Sequence, residues 1–159
     1  MPEEYRNIYK TARRSAGLTQ EAAAERLDLS VESIRAYETG SRIPPNDVVE
    51  RMVECYGLQY LAYQHLKETN ALMGRVVPEL TPRGLMEAVV RLTNRINRFG
   101  REHSADRLLE IAEDGRITDA ERAEFEEIVA DLREIVRVGL ELDVFCGRKE
   151  DGTWENELP

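Results

Sequence analysis

Two short helices joined by a tight turn are predicted within residues 18–44, and this stretch constrains the fold more than any other. Thr19 is a candidate N-cap of the first helix, because its hydroxyl can accept a hydrogen bond from a backbone N–H group of the first turn. Ser30 is a candidate N-cap of the second helix, which is predicted to reach about Glu38. Gly40 follows and stops that helix. The pattern therefore predicts two short helices joined by a tight turn and closed by a Gly and a basic loop.

The rest of the chain is also predicted to be helical. Apolar residues recur at helical spacing through most of it, and Gly or Pro punctuates the segments. Residues 74–81 have the composition of a linker, and Thr81-Pro82 predicts a helix start, with an N-cap followed by Pro at the first helical position. The polar tail after the last helix is expected to form a short hairpin or to be disordered. The remaining predicted helices lie at about 4–16, 47–56, 59–72, 82–99, 105–113 and 119–146. Gly100 is predicted to end the fourth of these, and Ser104 is a candidate N-cap of the fifth.

Apolar residues alternate three and four residues apart along the two long helices of the second half. Such seams suit antiparallel or coiled-coil packing. The seam of the last helix is wider than one partner helix would cover, so these helices are expected to complete their burial by pairing with a second copy. The predicted dimerisation residues are Leu85, Val89, Leu92, Ile96, Ile128, Val129, Leu132, Ile135, Val136 and Leu140.

Composition limits the classes of protein that this chain can represent. Its 159 residues, 42% hydrophobic and 33% charged, are enough for one or two small helical domains. No apolar run approaches the roughly 20 residues of a membrane span. Cys55 and Cys146 lie far apart, which favours reduced thiols in a cytoplasmic protein, and His65 and His103 do not form a metal-site pattern. We therefore expect no metal and no other cofactor.

The net charge of −9 is distributed unevenly along the chain. Residues 1–75 carry 10 Lys and Arg against 11 Asp and Glu, a net charge of −1. Residues 76–159 carry 12 against 20, a net charge of −8. A nucleic-acid duplex would tolerate the first half and be repelled by the second. Any contact with nucleic acid is therefore expected in residues 1–75.

The spacing of residues 13–44 resembles that of the lambda-repressor-like, or Xre-type, helix-turn-helix regulators, of the prophage-repressor kind. The resemblance covers roughly residues 5–65. It implies a five-helix DNA-binding domain. Together with the helical pattern of the second half, it predicts an all-α protein in which this domain precedes a C-terminal helical hairpin or bundle. The residues that carry it are Arg13, Gly17-Leu18-Thr19-Gln20-Glu21, Ala24, Leu27, Ser30, Ile34, Tyr37-Glu38, Gly40, Arg42 and Pro44.

The resemblance also implies how the domain would meet DNA. The first helix of the pair would lie across the phosphate backbone, with Gln20 donating to a phosphate at its N-terminus. Helix 30–38 would enter the major groove. Arg13 and Glu38 would form a structural ion pair. The other predicted DNA contacts are base edges for Val31, Glu32 and Ala36, guanine or phosphate for Arg35, and phosphates for Ser30, Ser33, Ser41 and Arg42.

We therefore predict a DNA-binding domain at 1–73, a linker at 74–81, a dimerisation or partner domain at 82–146 and a polar tail at 147–159. The predicted function is a transcriptional regulator. It would be a repressor that binds an inverted-repeat operator in double-stranded DNA as a homodimer. No catalytic constellation stands out, so no enzymatic activity is expected.

Two other functions stay open at this point. The chain would be a protein–protein interaction module if the acidic second half binds a protein partner and the first half makes little or no contact with DNA. It would be an effector sensor if a ligand sits among the C-terminal helices. The near-neutral first half and the apolar reading residues Val31 and Ala36 favour the first of these alternatives.

Overall fold

The computed structural model describes residues 7–148 and 154–156 of the chain, and within them it confirms the all-α prediction. The described helices are α1 Ile8–Ser15, α2 Gln20–Leu27, α3 Val31–Glu38, α4 Asn46–Tyr56, α5 Tyr60–Thr69, α6 Met73–Val76, α7 Leu85–Arg101, α8 Ser104–Ala112 and α9 Arg122–Phe145. Two short strands, β1 Cys146–Arg148 and β2 Trp154–Asn156, pair antiparallel with Arg148 opposite Trp154. None of the helices described is long and apolar enough to cross a membrane.

The described residues divide into two compact units. The first unit comprises residues 7–76 together with 144–148 and 154–156, and the second comprises residues 77–143. The end of α9 and the β1–β2 hairpin thus group with the N-terminal helices, whereas sequence reasoning placed them in the helical domain and the tail. Phe145 has a physical role in this grouping, because its ring lies 4.6 Å from that of Tyr60 and is almost completely buried.

The first unit is built around one apolar core that α1 to α5 share. Each of the first three helices begins at a side-chain cap: Asn7 accepts from the Lys10 N–H, Thr19 from Ala22, and Ser30 from Ser33. These caps satisfy backbone donors that have no partner inside the helix. The core residues are Ile8, Tyr9, Ala12, Ala23, Ala24, Leu27, Ile34, Tyr37, Val48, Val49, Met52, Tyr56, Leu58 and Leu61.

The second unit contains α7, α8 and most of α9. Its described apolar side chains that are buried are Leu80, Ala88, Ile111, Ile128 and Val138. Arg95 and Arg98 of α7 form ion pairs with Asp131 of α9, at 3.8 and 3.7 Å. Antiparallel pairing of the two long helices in one chain therefore relies on charged contacts as well as on apolar packing.

Several predicted helix boundaries are wrong, and the segment before α7 has the clearest physical reason. Thr81-Pro82 does not start the helix, because α7 begins at Leu85 with Gly84 as its N-cap. The Thr81 N–H instead donates to Oε1 of Glu141 at 3.1 Å, and Arg83 Nε donates to Oε2 at 3.2 Å. This buried carboxylate holds residues 81–83 outside the helix.

Other boundaries shift by local conformation. Asn7 has an extended backbone and is the N-cap of α1, so it is not part of the helix that was predicted to start at Glu4. Residues 4–6 of that predicted helix lie outside the described residues. Gly100 does not end α7, which continues to Arg101. His103 adopts φ 52° before α8, so Ser104 is the first helical residue and not the cap.

One further helix boundary in each unit also differs from the prediction. Helix α5 ends at Thr69, three residues before the predicted Leu72. Helix α9 starts at Arg122, three residues after the predicted Asp119, and Thr118 and Glu121 exchange side-chain and backbone hydrogen bonds in the turn before it.

Candidate nucleic-acid interface

The α2–α3 pair is fixed by small and apolar residues on its inner side. Ala23 and Ala24 of α2 are fully buried, which lets α3 approach closely. Ile34 and Tyr37 of α3 point into the same core. Asp28 takes φ 52° and ends α2 before the turn. The angle between the two helices is therefore set by the core, and the outer side of α3 is left available for contact.

The exposed side of α3 carries two charged residues. Glu32 and Arg35 are exposed, and Ala36 is half-buried beside them. Val31 is also half-buried, but it packs against the apolar core. Its predicted role as a free contact to a base edge is therefore weakened, because part of its apolar surface is already covered in the free protein. The charged side chains of α3 that remain exposed for contact with DNA are those of Glu32 and Arg35.

Arg13 and Glu38 form a buried ion pair that joins α1 to the end of α3. Arg13 Nη2 donates to Glu38 Oε2 at 3.0 Å, Arg13 Nε donates to the other carboxylate oxygen, and Arg13 Nη1 donates to the Leu18 carbonyl. Hydrogen bonding to Glu38 raises the pKa of Arg13. Burial alone would raise the pKa of Glu38, but the hydrogen bonds from Arg13 and Gln20 outweigh it, so its pKa lies below the ordinary value.

Gln20 is the predicted phosphate-binding residue whose surroundings differ most from expectation. Its side-chain Nε2 donates to Glu38 Oε2 at 2.8 Å, so one of its two N–H donors is used inside the protein. The N-terminus of α2, with exposed Thr19 and Glu21 around it, still leaves backbone N–H groups facing outward. A phosphate there would meet the helix dipole and at most one Gln20 donor.

The predicted serine contacts are used locally. Ser30 and Ser33 hydroxyls lie 2.9 Å apart at the start of α3, and the Ser41 hydroxyl donates to the Ala36 carbonyl at 3.1 Å after its end. Arg42 lies with its guanidinium carbon 4.8 Å from the centre of the Tyr37 ring, in a cation–π contact. The four residues Ser30, Ser33, Ser41 and Arg42, which were predicted to contact phosphates, thus lie close to α3. Each already contacts another group of the same chain.

Two residues of this region were missed by sequence reasoning. Asn7 is buried, caps α1 and donates to the Tyr37 carbonyl at 2.7 Å, so it ties α1 to the end of α3. An Asn directly before an apolar helical pattern is an N-cap signal that would have identified it. Ile43 is 65% exposed directly after Arg42, and nothing in its sequence context predicted that exposure.

The predicted dimerisation residues have very different environments within the second unit. Ile128 is buried inside the chain, so its assignment to a surface between copies is wrong. The rest are half-buried or exposed. Leu85, Val89, Ile96 and Val136 are exposed, whereas Leu92, Val129, Leu132, Ile135 and Leu140 are half-buried. The structure contains a single chain, so it leaves pairing between copies as a prediction.

Comparison with known families identifies the class of domain that this geometry forms. Residues 10–61 match the family model of a helix-turn-helix domain, and this span includes most of α1, all of α2, α3 and α4, and the first two residues of α5. Residues 10–61 are therefore similar to a helix-turn-helix domain. No curated protein and no solved structure matches the chain significantly.

Proposed function

We propose that this protein is a sequence-specific transcriptional regulator of the Xre type, and that it represses by occupying an inverted-repeat operator as a homodimer. Helix α3 would lie in the major groove, with half-sites about 34 Å, or one helical turn, apart. The observation that carries the proposal is the orientation of α3. Its apolar side is sealed into the core by Ile34 and Tyr37, while Glu32 and Arg35 face outward.

The two exposed charged residues suit different groups on DNA. A carboxylate at Glu32 would accept from the exocyclic amino group of a cytosine. A guanidinium at Arg35 would donate to guanine O6 and N7 or to a phosphate. Because residues 1–75 carry a net charge of −1, affinity would depend on a few well-placed cations and on helix N-termini, and not on a general positive field. Arg42 at the end of α3 would supply one such phosphate contact.

Selection of bound sequences from random or genomic DNA tests the reading helix directly. For the Glu32→Gln variant we expect one position in each half-site to change its preferred base, with an altered discrimination of about 1–3 kcal/mol. Glu25→Gln is the matched control, because Glu25 is exposed on α2 and its substitution removes the same charge. Arg42→Ala should weaken binding to every sequence alike and reduce the salt dependence by about one charge.

The contrary results are equally specific. Unchanged base preference in Glu32→Gln would assign that carboxylate to solvent and not to a base edge. Absence of DNA binding at low salt would contradict the regulator proposal and favour the protein-interaction alternative, in which the acidic second half of the chain binds a protein partner. DNA binding measured over a series of salt concentrations separates these outcomes, because phosphate contacts release counterions and the affinity must fall as the salt concentration rises.

The homodimer part of the proposal is supported by exposed apolar residues on one side of α7. Leu85, Val89 and Ile96 are 43, 42 and 52% exposed, and their spacing places them on one helical face. Apolar side chains grouped in this way on a helix are typical of a surface that another protein molecule covers. A two-fold pairing there would bring two copies of α3 to the two halves of one operator.

Sedimentation of the Val89→Glu, Ile96→Glu double variant tests this pairing. We expect the chain to shift from dimer to monomer, because two carboxylates would be buried without partners. Asn94→Glu is the control, since residue 94 is exposed on the opposite side of α7 and adds the same charge. A wild-type chain that sediments as a monomer, or a double variant that stays dimeric, would contradict dimerisation through α7.

A further inference from the structure

An open apolar cavity of about 670 Å³ lies at the surface of the second unit and has no role in the proposed DNA contacts. It is formed by the end of α7, by α8, by the loop that follows α8 and by the start of α9. Apolar side chains make up most of its walls. They include Phe99, Leu108, Ile111, Ile117 and Phe125.

The size and walls of this cavity fit a small organic molecule. Ligand cavities in proteins span roughly 300–1,000 Å³ and combine apolar walls with a few polar groups that orient the ligand. Phe99 and Phe125 offer two aromatic rings, which favour a flat aromatic or a short aliphatic body. Leu109, also at the wall, is 72% exposed, which leaves apolar surface unsatisfied in the free protein.

One charged residue lines the cavity, and it defines the chemistry of the ligand. Arg116 is exposed at its edge, and its guanidinium forms no ion pair or hydrogen bond within residues 7–148. Asp114 Oδ1 accepts the backbone N–H of Arg116 at 2.9 Å and forms no ion pair with the Arg116 guanidinium. An unpaired guanidinium beside an apolar wall matches a molecule with an apolar body and one carboxylate.

We propose that the second unit binds a small organic acid, an aromatic or short-chain carboxylate, in this cavity with its carboxylate at Arg116. The apolar body would cover Phe99 and Phe125, and the solvated ion pair would select the acid over its neutral counterpart. The proposal does not depend on DNA binding. For a ligand of this size, a Kd of about 0.1–1 mM is expected.

Calorimetric titration of the full chain with 1-naphthoate and with the neutral 1-naphthylmethanol tests both parts of the proposal. We expect one naphthoate per chain and an affinity about two- to fivefold higher than that of the alcohol, since an exposed ion pair contributes little. Arg116→Gln should abolish this difference in affinity and leave the affinity for the alcohol unchanged. Arg122→Gln is the control, because Arg122 is exposed on α9, does not line the cavity and loses the same charge.

A second variant locates the binding site independently of charge. Ala112→Phe adds a ring at the exposed end of α8, where Ala112 lines the cavity, and should weaken both compounds at least tenfold. Circular dichroism on the same sample establishes that the variant is folded. The proposal is overturned if neither compound binds the wild-type chain, if Ala112→Phe leaves both affinities unchanged, or if Arg116→Gln keeps the preference for the acid.

Discussion

The two units of this protein bury apolar surface to very different extents. The first unit closes a core of 14 buried apolar residues contributed by five helices and the loop before α5. The second unit is of similar length, but five of its described apolar residues are buried. Its exposed large apolar side chains are Leu85, Met86, Val89, Val90, Ile96, Leu109, Ile117 and Val136. The first unit thus encloses one continuous core and leaves Ile43, Leu66, Leu72 and Val76 exposed, whereas the second unit leaves more of its apolar surface in water.

The difference indicates where each unit obtains its stability. Hydrophobic stabilisation grows with the apolar area removed from water, so the first unit has a larger driving force of its own. In the second unit, Arg95 and Arg98 reach Asp131 and Glu134 across α7 and α9, but these side chains are partly solvated. Ion pairs of this kind contribute about 0–1 kcal/mol each. A second copy or a ligand would supply the burial that the single chain lacks.

The strongest test of this comparison makes the same substitution in each unit. Ile34 is 1% exposed and Ile96 is 52% exposed. Ile34→Ala should reduce the free energy of unfolding by about 2–5 kcal/mol, whereas Ile96→Ala in a monomer should change it by less than about 0.5 kcal/mol. Chemical denaturation followed by circular dichroism measures both values. If the chain dimerises through α7, the effect of Ile96→Ala should grow with protein concentration.

The two units also differ in how far their structure could be predicted from sequence. In the first unit, caps and glycines act over a few residues, so Thr19, Ser30 and Gly57 fix helix ends that local chemistry alone predicts. In the second unit, the start of α7 depends on Glu141, which lies 60 residues from Thr81 in sequence. No local signal reports a contact of that range, and Thr81-Pro82 therefore gave the wrong start.

The candidate interface shows the same limit at the level of side chains. The spacing of residues 19–42 was enough to predict which residues surround α3, because helical periodicity places them there. It was not enough to predict which hydrogen bonds they already make. Gln20 donates to Glu38, and Arg42 lies over Tyr37, through contacts that depend on rotamers and on the packing of α1 against α3. A predicted contact residue can thus have an internal partner before any ligand arrives.

Buried carboxylates offer a second and smaller test of the comparison. Glu38→Gln should cost about 3 kcal/mol, because it leaves the Arg13 guanidinium buried without its counter-charge. Since the pKa of Glu38 is lowered, its contribution is present above pH 4.5 and is lost as the pH falls through its folded value. In the second unit, Glu141→Gln should cost about 1–3 kcal/mol, because Arg83 and Arg137 are partly solvated.

Hydrogen exchange distinguishes these two carboxylates by position. Glu141→Gln should expose the Thr81 amide, which donates to the carboxylate, and leave the amides of α1 to α5 protected. Glu38→Gln should have the opposite distribution, with faster exchange in α1 and α3. Equal acceleration across both units in either variant would show that they unfold as one cooperative body and not as two units of different stability.

The smallest expected effect is a pH dependence that belongs to the first unit. His65 is buried between Tyr9 and Asn46, with Nδ1 2.9 Å from the Tyr9 hydroxyl and Nε2 2.9 Å from Asn46 Oδ1. Burial lowers the pKa of His65 below 6.5, so the unfolded chain binds more protons than the folded chain just below that pH. Stability from this site is therefore present above pH 6.5 and is lost as the pH falls through the folded value.

Thermal unfolding at pH 7.5 and at pH 5.5 measures this contribution. The wild-type chain should lose stability at the lower pH, and His65→Gln should show less loss over the same interval. His103→Gln is the control, because His103 is the other histidine of the chain and is exposed in the second unit. If His103→Gln reduced the pH dependence of stability as much as His65→Gln, burial of His65 in the core of the first unit would not be its cause. If burial of His65 is the cause, only His65→Gln will change how stability depends on pH.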